Sequence, residues 1–160
     1  MPFVDLRDLK VYYELKGEGP RLLFISGSNG DLRRTPNIFD TPVASQFEIL
    51  TYDQRGLGQT TVPDGPYTMQ DYAEDARGLL ETLGWDSCLV MGTSFGGMVG
   101  QEFAVSYPAR IKRLVLNCTS SGGKGGGGSV TAHRASSAEL SALRRAEARQ
   151  ASERERMDGF

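Results

Sequence analysis

The sequence has 160 residues, 39% hydrophobic and 24% charged, with a formal net charge of −2. This composition is typical of a globular domain with a buried core, and the near-neutral charge gives no reason to expect nucleic acid or an anionic membrane as a partner. No apolar run reaches the roughly 18–20 residues of a membrane span, and the N-terminal segment MPFVDLRDLK lacks the apolar core of a signal peptide, so we expect a cytoplasmic protein.

The first third of the chain alternates short apolar segments with turn-rich ones. Residues 9–20 alternate apolar and polar side chains before ending in glycine and proline, which predicts a half-buried strand and a turn. Continuous apolar runs at 21–26 and 47–53 predict two strands covered on both faces. The segments 27–37 and 54–66 that follow them are rich in turn residues and are predicted loops.

Residues 67–85 predict a helix with recognisable ends. Thr68 can cap it, with Asp71 three residues later, and Gly84 ends it. Its apolar residues recur at helical spacing: Tyr72, Ala76, Leu79, Leu80 and Leu83.

The next three predicted elements complete an alternating pattern. An apolar run at 88–92 predicts a strand, residues 95–108 a helix stopped by Pro108, and residues 111–117 a further strand. Short apolar strands that alternate with helices predict an α/β fold, a mostly parallel sheet with helices on both faces.

The composition changes at residue 120. Residues 121–130 are almost all glycine and serine, which is typical of a flexible segment, and residues 131–160 are rich in Ala, Glu and Arg with strong helix propensity. We therefore divide the chain into a core at 1–120, the segment 121–130 and a helical segment 131–160. The last is either the start of a cap over the site or an unrelated helix appended through a GGGGS linker.

The run Gly92-Thr93-Ser94-Phe95-Gly96 matches G-x-S-x-G between a predicted strand and a predicted helix, which is the context that motif requires. A strand-to-helix turn this tight needs small residues two positions before and after the serine. The Ser94 hydroxyl would project beyond the sheet, with the Phe95 N–H and the helix N-terminus facing any developing oxyanion. The pattern thus predicts a nucleophile at Ser94; the alternative is a glycine-rich turn whose serine only caps the helix.

The segment FISGSNGD at 24–31 is a second strand that runs into a glycine loop. In this architecture the loop after the earlier strand supplies the other oxyanion N–H. Ser28 is the first candidate donor and Asn29 the second, and an ordinary turn is the alternative.

Asp53 and Arg55 follow a strand in the glycine-rich turn YDQRGLGQT. We interpret them as a salt-bridged pair that fixes the loop rather than as catalytic groups. Gly56 and Gly58 do not form a dinucleotide fingerprint, because no G-x-G-x-x-G opens a helix here. The run GGKGGGGS lacks the spacing of a phosphate loop.

The sequence predicts neither a disulfide framework nor a metal site. Cys88 and Cys118 both fall in strand-like runs, which favours two buried thiols in a reducing compartment. His133 is the sole histidine, so the sequence argues against a histidine-based metal site. We expect no cofactor.

Four segments in this order closely resemble the amino-terminal half of α/β-hydrolase fold enzymes, over about residues 8–120. They are FISGSNGD, YDQRGLGQT, YTMQDYAEDARGLLETLGW and VMGTSFGGMVGQEFAVSYPARIKRLVLNCT. The resemblance implies a nucleophile at Ser94, oxyanion donors at Ser28 and Phe95, and a D-x-R-G-x-G turn at 53–58. It also implies cleavage of an ester, lactone or amide of a small molecule through an acyl-Ser94 intermediate. The family includes esterases, lactonases, cofactor-free haloperoxidase-like proteins and aminopeptidases.

This sequence departs from the family in two respects. Ser26-Gly27 stands where the family usually has His-Gly, which alters how the oxyanion loop is held. The family's acid and histidine follow later strands, in the order Ser, Asp or Glu, His, and family members are longer than this chain.

His133 is a poor candidate for the missing base. A base must be held within about 3 Å of the hydroxyl and oriented by a third group, and a glycine linker holds nothing in place. We therefore expect little or no hydrolase activity from these 160 residues alone. The alternative function is a non-catalytic remnant or interaction module. A sheet that stops at the last predicted strand would also leave an apolar edge, so we expect poor solubility or self-association.

Overall fold

The structure is a computed structural model, and it describes residues 2–121. In that part, the strands are β1 (Phe3–Leu6), β2 (Leu9–Lys16), β3 (Arg21–Ile25), β4 (Glu48–Tyr52), β5 (Cys88–Thr93) and β6 (Ile111–Asn117). The α-helices are α1 (Met69–Thr82) and α2 (Phe95–Ser106), and short 3-10 helices span Ile38–Asp40, Pro42–Ser45 and Pro108–Arg110. Every predicted strand and helix between residues 9 and 117 is present, with its ends shifted by a few residues.

The strands form one sheet in the order β1-β2-β4-β3-β5-β6. β3 lies between β4 and β5 and pairs with both in parallel, and β5 pairs in parallel with β6. β1 and β2 form an antiparallel hairpin, and β2 joins the sheet antiparallel to β4. The predicted α/β architecture with a mostly parallel sheet is therefore confirmed, while β1 was not predicted. Only Leu6 of its four residues is buried, so it lacks a core-strand pattern.

Consecutive residues of the parallel strands point to opposite faces, as the pleat requires. Leu23 and Leu50 belong to the larger core cluster, which α1 and α2 cover while packing against each other. Their neighbours Leu22 and Ile49 belong to a smaller cluster on the other face, where the 3-10 helices at 38–45 pack. Because both faces of β3 and β4 are covered, apolar residues are favoured at consecutive positions, and the sequences of these strands are continuous apolar runs.

The predicted cap of α1 is present. The Thr68 side chain accepts a hydrogen bond from the Asp71 N–H at 3.2 Å, and the Asp71 carboxylate accepts one from the Thr68 N–H at 2.7 Å. Such reciprocal bonds satisfy two N–H groups that a helix start otherwise leaves without partners. The buried face of α1 comprises Tyr72, Ala73, Asp75, Ala76, Leu79 and Leu80.

The two cysteines differ in environment. Cys88 at the start of β5 is buried, and burial raises the pKa of its thiol to about 11, so that thiol is neutral near pH 7. Cys118 is exposed. The prediction of two buried thiols is therefore wrong for Cys118, because β6 ends at Asn117 and the chain turns at Cys118 with φ of 49°.

β6 is the outer strand on its side of the described sheet. Val115 and Leu116 are 53% and 43% exposed there. An unpaired strand edge with apolar side chains is a template for association with another chain. The expected apolar edge is thus present in the part of the chain that the structure describes.

Substituting Val115 with lysine is expected to lower the tendency of this chain to self-associate, because a charged side chain on an edge strand opposes pairing. Light scattering across a concentration series measures the effect. Val62→Lys is the matched control, since Val62 is also 53% exposed but lies outside the sheet. A monodisperse monomer in the unsubstituted chain would contradict the prediction.

Within residues 2–121, no helix is long and apolar enough to cross a bilayer. Apart from Ser121, the predicted segments 121–130 and 131–160, including His133, lie outside the described residues.

Candidate active site

The carboxyl ends of the four parallel strands lie at the same end of the sheet, here called its carboxyl edge. This end is distinct from the strand edge formed by β6. The residues that follow β3, β4, β5 and β6 therefore lie near one another, although they are far apart in the sequence. In open α/β sheets the carboxyl edge is where ligands bind. The candidate site is built from these four strand ends.

Ser94 stands between β5 and α2 with φ of 54° and ψ of −121°. A non-glycine residue rarely adopts a positive φ, and such strain persists only where the surroundings impose it. The Ser94 N–H donates to the Asn117 carbonyl at 2.9 Å, and the Ser94 carbonyl accepts from the Gly97 N–H at 2.9 Å and the Thr119 hydroxyl at 2.7 Å. The exposed side chain makes no capping hydrogen bond to α2, so the capping alternative is not observed.

The glycines on either side of Ser94 leave no room for a side chain. A Cβ at Gly92 would lie 2.3 Å from the Gly96 carbonyl oxygen. A Cβ at Gly96 would lie 2.1 Å from the Ile25 carbonyl oxygen and 2.3 Å from that of Ser26. Both obstacles are rigid backbone. The start of α2 thus presses directly against the end of β3, which explains the two glycines of the motif.

The loop after β3 lies beside Ser94. A Cβ at Gly27 would be 3.4 Å from the Ser94 Cβ and 3.8 Å from its Oγ. The Gly27 carbonyl accepts a hydrogen bond from the Gly30 N–H at 3.0 Å, so Ser28 and Asn29 form the exposed tip of a turn. The structure therefore places Ser28 in the loop that adjoins Ser94.

Phe95 begins the 12-residue helix α2, so its N–H is one of those that precede the helical ladder. The N-terminus of a helix carries partial positive charge. The Phe95 ring packs edge-on against Tyr72 of α1, with the ring centroids 5.0 Å apart. The start of α2 and the Gly27 end of the loop after β3 thus both adjoin Ser94.

Asp53 and Arg55 do not pair with each other, contrary to the sequence-based interpretation. The buried Asp53 carboxylate accepts hydrogen bonds from the Leu32 and Gln59 N–H groups, both at 2.8 Å. Burial raises the pKa of Asp53 from its ordinary value. Asp53 therefore does fasten loops, including the loop that carries Ser28, but through backbone N–H groups.

Arg55 turns away from Asp53 toward α1. Its guanidinium forms two hydrogen bonds to the Asp75 carboxylate, at 2.7 and 2.8 Å, and the two side chains are 4% and 2% exposed. Arg55 also lies over the rings of Tyr67 and Tyr72. Since Tyr72 contacts Phe95, this buried pair connects the turn at 53–58 with the start of α2.

Sequence reasoning missed both Asp75 and Gln54. Asp75 is an acidic residue on the buried face of α1, next to Ala76 of the predicted apolar stripe. A charged residue on an apolar helix face was the signal that could have identified it. Gln54 is fully buried and donates from Nε2 to the Ser26 carbonyl at 2.7 Å. No pattern along the chain distinguished Gln54 from the other polar residues of its predicted loop.

Residues 2–121, the described part of the chain, contain no histidine that could serve as the base for Ser94. No group of three or more His, Cys, Asp or Glu side chains that could hold a metal ion occurs in that part either. The site as described consists of an exposed serine hydroxyl and neighbouring backbone N–H groups.

Comparison with known proteins gives consistent matches. A family model described as "alpha/beta hydrolase fold" matches residues 20–147. The chain is 29% identical over 117 residues to an Azorhizobium caulinodans protein named "Putative carbamate hydrolase RutD", covering 72% of this chain and 43% of that protein. It is 35% identical to a solved hydrolase from Pseudomonas aeruginosa, with a TM-score of 0.69. It is 28% identical to the solved enol-lactonase from Burkholderia xenovorans, also with a TM-score of 0.69.

The matched proteins are longer than this chain. The two structural matches cover 75% and 76% of this chain but only 46% and 48% of the solved proteins. The chain therefore spans less than half the length of these relatives.

Proposed function

Because this chain belongs to the alpha/beta hydrolase fold family, we propose that Ser94 is the nucleophile of a hydrolase that cleaves an ester, lactone or amide of a small molecule. The observation that carries the proposal is the backbone of Ser94. Its positive φ holds an exposed hydroxyl at the carboxyl edge of the sheet, beside the N-terminus of α2 and the loop after β3.

The reaction proceeds by acyl transfer. The Ser94 Oγ attacks the substrate carbonyl carbon while a base takes the hydroxyl proton. The negative charge that develops on the carbonyl oxygen is held by the Phe95 and Ser28 N–H groups. The bond to the leaving alcohol or amine then breaks, and the leaving group takes up a proton. Water hydrolyses the acyl-Ser94 ester and restores the serine.

The general base lies outside the described residues, which contain no histidine. His133 also lies outside the described residues, and because it follows a glycine-rich run in the sequence, we assign the base to a residue other than His133. Imidazole added to the buffer can take the Ser94 hydroxyl proton in place of the protein's own base. Without it, ester turnover by this 160-residue chain is slow.

The substrate class is supported by the relatives. The names carbamate hydrolase and enol-lactonase both describe enzymes that attack a carbonyl carbon bearing an oxygen or nitrogen leaving group. The same nucleophile and oxyanion donors serve esters, lactones and amides, because the developing charge is on the same oxygen.

Reaction with a p-nitrophenyl alkylphosphonate in imidazole buffer tests the proposal. Ser94 Oγ bonds to phosphorus, p-nitrophenolate leaves and imidazole takes the proton, so nitrophenolate release reports the rate and mass spectrometry locates the adduct. We expect one adduct, on Ser94, and a loss of at least about 100-fold in rate in Ser94→Ala, since Ser94 is the serine that lies beside the proposed oxyanion donors.

Two control variants sharpen the test. Ser45→Ala removes another exposed serine, in the 3-10 helix Pro42–Ser45, and is expected to react like the unsubstituted chain. His133→Ala is expected to do the same. An adduct elsewhere, or none on Ser94, would refute the assignment and favour a non-catalytic interaction module. A reaction that proceeds without added imidazole and is lost in His133→Ala would identify His133 as the base.

A further inference from the structure

Gln54, the second residue after β4, is completely buried, yet only one end of its carboxamide has a hydrogen-bond partner in the described residues. Its Nε2 donates to the Ser26 carbonyl at 2.7 Å, whereas its Oε1 has no hydrogen-bond partner in the described residues. An unpaired buried oxygen costs free energy, and an apolar side chain of the same volume would avoid that cost. The residue is therefore poorly explained as a contribution to stability, and its one bond indicates another role.

That bond holds the first peptide of the loop beside Ser94. Ser26 is the first residue after β3, and its carbonyl belongs to the peptide that joins it to Gly27. In a planar trans peptide the C=O and N–H point in opposite directions. Because Nε2 of Gln54 fixes the direction of the Ser26 carbonyl, it also fixes the direction of the Gly27 N–H, away from Gln54.

The next peptide is fixed in the same way from within the loop. The Gly27 carbonyl accepts from the Gly30 N–H at 3.0 Å, which orients the Ser28 N–H in the opposite direction. The far end of the loop is held at Leu32, whose N–H donates to Asp53 at 2.8 Å. Consecutive residues of β4's carboxyl end, Asp53 and Gln54, thus fasten both ends of one short loop.

We propose that Gln54 is a positioning residue for the oxyanion loop: its carboxamide holds the Ser26 carbonyl and thereby keeps the loop N–H groups aligned with Ser94. The inference rests on the proposed function. It also explains how the loop is held although it begins with Ser26-Gly27. Gln54 binds the backbone carbonyl of residue 26, and a residue of any type at that position provides this carbonyl. Gln54 touches no reacting atom and acts through the loop.

The alkylphosphonate reaction separates this role from a structural one. Replacing Gln54 with Met keeps the side-chain volume and removes the N–H donor. Gln54→Asn keeps the carboxamide but shortens the side chain by one methylene, so its N–H donor lies farther from the Ser26 carbonyl. We expect both to lower the maximal rate of Ser94 modification about 100-fold, the effect of a displacement of about 1 Å in catalytic geometry, with the concentration for half-maximal rate unchanged. Gln54→His retains an N–H at similar reach and is expected to stay within about threefold of the unsubstituted chain.

Control variants and outcomes distinguish the proposals. Gln70→Met changes an exposed glutamine of α1, far from the loop after β3 in the sequence, and is expected to react normally. If the circular dichroism spectrum shows that Gln54→Met does not fold, the difference in reaction rate between Gln54→Asn and Gln54→His tests the inference. The inference would be overturned if Gln54→Met and Gln54→Asn both reacted at the rate of the unsubstituted chain. It would also be overturned if Gln54→His lost as much rate as those two variants. Failure of Ser94 itself to react would instead refute the proposed function.

Discussion

Replacing Gly96 with alanine is expected to lower the free energy of unfolding by about 2–3 kcal/mol. The added Cβ would lie 2.1 Å from the Ile25 carbonyl oxygen and 2.3 Å from that of Ser26, so α2 and β3 must move apart. Alanine's better helix propensity returns only about 1 kcal/mol. Equilibrium denaturation followed by circular dichroism measures the change. The same displacement moves Ser94 relative to Gly27, so we also expect modification of Ser94 to slow.

Gly100→Ala is the matched control in the same helix. Its Cβ would meet the Leu114 and Leu116 side chains at ordinary distances of 3.6 and 3.7 Å. Here the helix propensity of alanine dominates, and we expect stability to be unchanged or higher by up to about 1 kcal/mol. Equal destabilisation by the two substitutions would show that the close contact between α2 and β3 is not the cause.

Replacing Arg55 with methionine is expected to destabilise the protein by about 3 kcal/mol, because it leaves the Asp75 carboxylate buried without its bidentate partner. Arg7, the other cation bound to Asp75 at 2.6 Å, is 41% exposed and offsets only part of the loss. A double variant, Arg55→Met with Asp75→Leu, is expected to regain most of this loss, since neither member of the buried pair then carries a charge. Denaturation curves for the three proteins measure these differences.

Arg77→Met is the control for this prediction. Arg77 also pairs with carboxylates, those of Glu74 and Glu81, but its side chain is 31% exposed. Ion pairs in contact with water contribute under about 1 kcal/mol, so we expect a small change. If the double variant were no more stable than Arg55→Met, packing of the guanidinium over Tyr67 and Tyr72 would be its main contribution.

The order of the strands and helices, the start of α1 and the position of the strand–serine–helix turn could be predicted from the sequence. These depend on local signals: apolar periodicity, the spacing of Thr68 and Asp71, and glycines two residues either side of Ser94. Each signal concerns residues that are close in the chain. Local backbone preference therefore suffices to locate them.

Partners that come from different elements could not be predicted in this way. Asp53 and Arg55 are two residues apart and of opposite charge, yet they bind Leu32 and Asp75 respectively, because the chain turns after β4 and each side chain meets a different element. Gln54 became a candidate only once β3 and β4 were seen side by side. The sequence by itself determined the segments that form β2 to β6, the two α-helices and the serine turn, but not β1. The tertiary structure alone decided which side chains hold them together, since those contacts depend on the order of strands in the sheet.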